Sequence, residues 1–252
     1  MLRKFDLGFL FSNTFLDALT FRLGSVKMIS GYDKKARAFL LDHKLKIDRG
    51  HHYINRYAYL VNSFSGNTFQ KLPPVTIPFD ARKAVVQKKN GGTLIGFYFG
   101  GCNKKIKHYP VDMAANVVEH VSISPNHTCI FLGDSSEKET SDKLVSRLPA
   151  HGEYVNLTGQ TRITELVDTI AALDLLVTVD SSPMHIAAAV GTPFIALVGK
   201  CPHSWNAVKP KVDFGHYVES SGEYIEDKYQ MKGIPPETII DKIFEILYSN
   251  VN

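Results

Sequence analysis

Leu176-Val177-Thr178-Val179-Asp180-Ser181-Ser182-Pro183-Met184-His185 is the stretch that decides the fold. Its first four residues are apolar or β-branched, as in a strand buried on both faces. Small polar residues follow, and Pro183 suits the first turn of a helix, where a backbone N–H is not needed. A strand that runs into a helix through such a turn aims amide groups and the positive helix end at one point, which favours an anion there.

On either side the alternation continues. Strands are predicted at 94–99, 129–133, 154–157 and 194–199, and helices at 111–123, 137–148, 163–173 and 183–190. Near-continuous apolar strands separated by amphipathic helices demand a parallel sheet covered on both faces, so the second half is predicted to be a doubly wound α/β domain. A last helix, 236–248, buries Ile239, Ile240, Ile243, Phe244 and Leu247. Ahead of this domain, 5–11 and 26–30 read as strands, Gly31-Tyr32 as a turn, and 15–23 and 52–64 as helices. Ser12-Asn13-Thr14 offers caps for the first of those helices. The polar, proline-containing stretch 65–92 reads as a connection between lobes.

Composition is that of an ordinary soluble globular protein, with 44% hydrophobic and 21% charged residues. The longest apolar runs, such as 173–179, fall far short of the roughly 20 residues a membrane span requires. Asp6 follows the basic pair Arg3-Lys4 at once, so the start does not read as a signal peptide. A soluble, cytoplasmic protein is expected. Cys102, Cys129 and Cys201 show no metal-ligand spacing and read as reduced thiols. The net charge of +4 suits a phosphorylated substrate or an acidic membrane surface, and equally a mildly basic protein with neither. The short clusters Lys88-Lys89 and Lys104-Lys105-Lys107 lack interleaved aromatic residues, so nucleic acid is not an expected partner.

Several residues carry two readings. Asp180 ends its strand where it can accept hydrogen bonds from a sugar hydroxyl, and Ser181 and Ser182 can donate to phosphate. Equally, Asp180 and Ser181 serve to cap the helix while His185 packs against the sheet. Gly100-Gly101 either admits a ligand close to the backbone or makes a plain turn. Lys107 is by default a solvated member of its cluster. Adjacent His51-His52 point apart on a helix and have no third ligand nearby in sequence, so no metal is expected. The Gly-x-Ser-x-Gly pattern of a serine hydrolase is absent.

Asp180-Ser181-Ser182-Pro183-Met184-His185-Ile186-Ala187-Ala188-Ala189, followed by Gly191-Thr192-Pro193 and the strand to Gly199, resembles a signature of the heptosyltransferases, glycosyltransferase family 9. The family's pattern is Asp-(Ser/Thr)-Gly-x-Met/Ser-His-x-Ala-Ala-Ala. Lys107-His108-Tyr109-Pro110 is similar to the family's loop ending in Lys-Arg-Trp-Pro. The first half, through Ser12-Asn13-Thr14-Phe15, Gly31-Tyr32 and Arg56-Tyr57, is similar to the acceptor-side lobe of the heptosyltransferase II type.

The resemblance implies a GT-B-like α/β fold of two Rossmann-like lobes with the N-terminal lobe incomplete. Residues 1–90 would form the acceptor-side lobe and 91–235 the nucleotide-sugar lobe, with 236–252 a helix packing back towards the first. It also implies transfer of heptose from an ADP-linked donor to a lipopolysaccharide inner-core acceptor, without cofactor or metal. Donor contacts would be Lys107, Asp180, Ser181, Ser182, Met184, His185, Gly100, Gly101, Thr158, Gly159, Gly199 and Lys200; Asn13 and Arg56 would lie on the acceptor side. The partners implied are a nucleotide-sugar donor and a phosphorylated glycolipid acceptor, with peripheral contact at the cytoplasmic face of the inner membrane.

The departures set up a rival expectation. Ser182 replaces a preferred glycine, and Gly199-Lys200-Cys201-Pro202 replaces Gly-Pro-(Thr/Ser), with Lys200 adding positive charge. Family members open with a strand and a Gly-Asp motif whose aspartate is the general base. No Gly-Asp follows a first strand here, and Gly133-Asp134 falls in the second lobe. The rival is therefore a catalytically inactive chain that keeps its affinity for nucleotide sugars.

Overall fold

The computed structural model describes residues 5–48, 53–71, 74–89, 91–100, 108–199, 205, 209–221 and 230–248. They belong to two compact units, 1–74 with 203–209, and 75–202 with 210–252. Among the described residues, no helix is long and apolar enough to cross a membrane.

The first unit is a three-stranded parallel sheet, ordered β1 (Leu7–Leu10), β2 (Met28–Tyr32), β3 (His43–Leu45). Helix α1 (Phe15–Leu23) covers one face, and its N-cap Thr14 accepts from the amide of Asp17. Leu10, Ala18, Val26, Ile29, Leu40 and Leu41 form the small core on that side. Gly8 lets the Phe21 ring lie against the strand, because a Cβ there would come within 2.6 Å of it. Helix α2 (Tyr53–Phe64) lies on the other face, where Phe64 meets the rings of Phe9 and His43 edge-on. Gly31 and Tyr32, read from sequence as a turn, are the last residues of β2. Glycine persuades a sequence reader of a turn, but here its lack of a side chain makes room for Leu41, Leu10 and Arg37.

The second unit is a six-stranded, all-parallel sheet. Its elements run β4 (Thr93–Tyr98), α3 (Val111–Ser122), β5 (His127–Phe131), α4 (Lys138–Val145), β6 (Glu153–Asn156), α5 (Ile163–Ala172), β7 (Leu175–Val179), α6 (Ser182–Val190), β8 (Phe194–Val198), β9 (Gly215–Glu219) and α7 (Pro236–Tyr248). The strand order is β6-β5-β4-β7-β8-β9. The chain steps outward from β4 to β6, returns to the far side of β4 at β7, and then steps the other way. With right-handed crossovers, that reversal puts helices on both faces: α3 packs with α4 and α7, and α5 with α6. β5, β7 and β8 are buried along their whole length, as their apolar runs require.

The boundary between units falls at Pro74, earlier than the predicted residue 90, because 75–89 is tied to α5 and its surroundings. The Asp80 amide donates to the Asp168 carboxylate at 2.8 Å and the Val85 amide to Thr169 Oγ1 at 3.4 Å, while Lys88 pairs with Asp174 at 2.6 Å. Polar, proline-containing composition concealed these contacts. Helix α7 lies along α3 as a layer of the second unit. Tyr248 and the buried His127 share a 3.0 Å hydrogen bond that fixes its far end. Cys129 is a free thiol inside β5, and burial pushes its pKa up to about 12. Cys102 and Cys201 lie outside the described residues.

Candidate functional site

β4 and β7 are neighbours from which the chain leaves in opposite directions. In an open α/β sheet, the crevice beyond the carboxyl ends of such a pair is where ligands bind. Tyr98 is in register with Thr178, so Phe99-Gly100 and Asp180-Ser181-Ser182 emerge side by side at this switch point.

The corner after β7 is held by main-chain bonds. The Asp180 amide donates to Leu197 O at 3.3 Å, and the Met184 amide to Ser181 O at 3.1 Å. Ser181 is the N-cap residue and is fully extended (φ −155°, ψ −176°), yet its side chain makes no capping hydrogen bond. The helix-cap reading of Ser181 is thus met in position only, and its hydroxyl is not spent on the helix. Ser182 is exposed, and Asp180, Ser181 and His185 are half-buried. Pro183 and Met184 are buried, Met184 completely, so Met184 supports the corner from beneath and offers no side-chain surface. Gly191 ends α6 in the left-handed region (φ 87°) and its amide donates to Ala187 O, giving the helix a defined stop. Gly199 follows β8 on the adjacent edge.

Beside the corner the structure brings in a residue the sequence reading missed. Glu137 is 6% exposed, at the turn after β5, where it completes a capping box with Asp134. Its Oε2 accepts from the Asp134 amide at 3.1 Å and its Oε1 from the Tyr98 hydroxyl at 3.4 Å. A Cβ on Gly100 would sit 2.1 Å from Oε1. That glycine therefore admits a buried carboxylate to the end of β4. The signal was the Asp134-Ser135-Ser136-Glu137 capping-box spacing, which in a chain read for phosphate binding looks like an ordinary helix start.

Thr158 and Gly159 occupy the neighbouring strand end. Thr158 is buried; its hydroxyl donates to Ser141 Oγ at 3.0 Å and its amide to Asn156 Oδ1 at 3.1 Å. Gly159 has φ 71° and stands so close to Ser135 that a Cβ would approach its Cα to 2.9 Å. Thr158 and Gly100 line one cavity together with Phe99, Tyr109, Phe131 and Glu137. Tyr109 is fully buried, stacks on Phe99 at 5.6 Å, and its hydroxyl donates to Ile234 O at 2.9 Å. Burial raises the Tyr109 pKa well above the usual phenol range. Lys107, Gly101 and Lys200 lie outside the described residues. A wide groove of about 830 Å³ runs between 77–83, the start of α5 and Ile186 of α6; no local pattern marks it.

In the first unit Asn13 and Arg56 are linked through groups that the sequence reading passed over. The fully buried Arg37 donates to Tyr32 O at 3.0 Å, Thr14 O at 3.1 Å and Asn13 Oδ1 at 3.2 Å. The Tyr32 hydroxyl in turn donates to Arg56 O at 2.5 Å. Desolvation lowers the Arg37 pKa, opposed by Asp17 and Asp33, and the guanidinium stays charged because its reference value is so high. With Oδ1 bound to Arg37, the Asn13 amide is turned so that its NH₂ is the end left to meet a ligand. Among the described residues, no three His, Cys, Asp or Glu side chains converge as metal ligands.

The family model for glycosyltransferase family 9 (heptosyltransferase) matches residues 1–218. The lipooligosaccharide heptosyltransferase 2 of Haemophilus influenzae is 32% identical over 166 residues, covering 61% of this chain and 47% of that protein. The matched region is thus about half the length of that relative. A solved family 9 glycosyltransferase from Veillonella parvula superposes with a TM-score of 0.81 at 18% identity, covering 98% of this chain and 75% of that one. An E. coli heptosyltransferase solved with ADP-2-deoxy-2-fluoro heptose superposes with a TM-score of 0.70 at 16% identity, covering 96% and 73%. The architecture is GT-B-like, with Rossmann-like α/β units.

Proposed function

The chain belongs to glycosyltransferase family 9, the heptosyltransferases, and from that premise we propose that it transfers heptose from ADP-heptose to a lipopolysaccharide inner-core acceptor. The observation that carries this reading is the corner after β7. It lies at the switch point of the sheet, opens a helix, and keeps the Ser181 hydroxyl out of the cap.

In this reading the diphosphate rests at the start of α6, where the helix end and the Ser181 and Ser182 groups meet negative charge. Asp180 accepts from a donor hydroxyl. As the bond to the anomeric carbon breaks, charge grows on the departing diphosphate, and donors already aimed at it stabilise that change without reorganising. Lys107 and Lys200 are proposed to add positive charge there. Asn13 and Arg56 serve the acceptor, and the reaction takes place at the cytoplasmic face of the inner membrane. The ligand of the E. coli neighbour, an ADP-linked heptose analogue, supports the choice of donor.

A second reading, binding of donor without transfer, has one specific observation behind it: the Gly-Asp pair in this sequence, Gly133-Asp134, lies in the second unit, where the Asp134 carboxylate accepts from the Ser136 amide. A general base typically contributes about 10²- to 10⁴-fold in rate, so a chain without one binds donor and turns over weakly or not at all. Calorimetric titration with ADP-, UDP- and GDP-sugars, followed by a transfer assay on inner-core acceptors, distinguishes the two. Binding with turnover supports the transferase, and binding without turnover supports the second reading. Asp180→Ala is expected to weaken donor binding by roughly 10- to 100-fold, the loss of a charge-assisted hydrogen bond. Wild-type affinity in that variant would remove the corner from the site.

A further inference from the structure

β6 ends in a polar cluster built around Asn156, its last residue. The side chain is half-buried, and both of its polar atoms are engaged. Oδ1 accepts from Ser141 Oγ at 3.0 Å and from the Thr158 amide at 3.1 Å, while Nδ2 donates to Asp142 Oδ1 at 2.8 Å. Ser141 Oγ in turn accepts from the Thr158 hydroxyl at 3.0 Å. The backbone oxygen of Asn156 accepts from Gln160 Nε2 at 2.6 Å. One residue thus joins α4 to the turn that follows β6.

Chemistry on both sides fixes which way the amide points. A carboxylate can only accept and a backbone N–H can only donate, so Nδ2 must face Asp142 and Oδ1 must face Thr158. Asp142 is itself held by Lys138, one turn earlier on α4, at 3.0 Å. The turn braced in this way is part of the crevice wall, since the buried Thr158 lines the same cavity as Gly100 and Glu137. The Gly159 amide donates to Gly133 O at 2.9 Å, which ties the turn after β6 to the turn after β5. A shift at Asn156 is therefore passed to two strand ends at once.

The strand ends stand in the row β7, β4, β5, β6. β6 lies roughly 14 Å from β7, three spacings of about 4.8 Å, which is farther than a diphosphate reaches from the corner after β7. The sugar to be transferred must stay open to an acceptor, so the nucleoside is the part of the nucleotide sugar that lies along this row. We propose that Asn156 is a positioning residue for the nucleoside end: it touches no ligand and acts by setting Thr158 and Gly159. Side chains locked by such supporting hydrogen bonds are what hold a binding wall to its productive geometry. The proposal rests on the reading of the corner as the diphosphate site and deepens it.

The test is calorimetric titration of the full chain with ADP, and competition of pyrophosphate against ADP up to millimolar concentration. Asn156→Asp keeps the size of the side chain and its acceptor, but turns an oxygen towards the Asp142 carboxylate. ADP binding is expected to weaken about tenfold or more, with pyrophosphate binding within about twofold of the wild type. A through-space effect of the added charge would fall on both ligands alike, because both place their phosphates at one corner. Asn156→Asp combined with Asp142→Asn returns the N–H donor and the net charge, and ADP affinity is expected to recover to within about threefold of the wild type. Thermal unfolding of the same samples checks the fold. Should Asn156→Asp not fold, Ser141→Ala carries the prediction, with ADP weakened about threefold or more and pyrophosphate unchanged.

Wild-type ADP affinity in the variant, an equal loss for ADP and pyrophosphate, or a double variant no better than the single one would overturn the proposal and leave the corner in place. A wild-type chain that binds no ADP, or from which pyrophosphate displaces none, would sink the diphosphate site and the proposal with it.

Discussion

Both units shield a parallel sheet on two faces, but they do so with very different amounts of material. In the second, six strands lie between two helical layers, and β5, β7 and β8 are buried end to end. In the first, three short strands hold a six-residue core under α1, and several aromatic and aliphatic side chains remain in water. The buried fraction of a chain rises with the size of its core. The larger unit can therefore rest on apolar burial, whereas the smaller one relies on specific polar ties such as Arg37, Asp42 with Arg22, and Ser30 with His43.

The sharpest way to break that contrast is to remove one aromatic ring from each unit. Phe97 is fully buried in β4 between Phe99 and Phe131. Phe97→Ala should cost about 3–5 kcal/mol, the range for a large core truncation. Phe39→Ala in the first unit should change stability by no more than about 0.5 kcal/mol. Urea unfolding of the full chain reads both. Similar losses in the two variants would mean that the first unit has a core comparable to the second.

Arg37 tests the other half of the contrast. Arg37→Met keeps the bulk of the side chain while stripping the donors from Tyr32 O, Thr14 O and Asn13 Oδ1. Leaving such buried acceptors unpaired should cost about 2–4 kcal/mol. The loss should also be local: amides of β2 and α1 are expected to exchange faster while those of β4, β5 and β7 keep their protection. Uniform loss of protection across both units would show that they unfold as one and that the division of labour is illusory.

The same contrast governs what could be read from the sequence. In the second unit, strands such as Leu175–Val179 and Phe194–Val198 announce themselves because burial on both faces leaves no room for polar residues. The corner after β7 was legible for the same reason, as the abrupt end of an apolar run. Where burial is partial, the pattern fades. β3 is three residues, His43–Leu45, and β9, with only Val218 buried, looks like loop. Arg37 was invisible because nothing local marks a cation that will be buried by a loop 23 residues earlier in the chain. Glu137 was hidden by the ordinariness of a capping box, and its approach to β4 depends on Gly100, 37 positions away in sequence. Side chains whose roles are set by distant partners are the ones that periodicity cannot find.

The smallest expected effect sharpens the contrast from inside the larger unit, at its thinnest edge. His216 lies on β9, half-buried, and its pKa is lowered first by desolvation and then by Lys242, with Glu245 acting the other way. The folded state therefore resists the proton more than the unfolded chain does. Above the unfolded value of about 6.5 both states are neutral and His216 costs nothing. As the pH falls through that value the unfolded chain takes up its proton first, so stability declines until the lower folded pKa is passed, and is then flat. Because the ring is partly solvated, the loss should stay below about 1 kcal/mol. Thermal unfolding at neutral pH and near pH 5 should show the wild type losing more than His216→Gln between the two conditions. If the variant loses as much, the His216 ring is as well solvated in the folded chain as in the unfolded one, and β9 shields it no better than open surface.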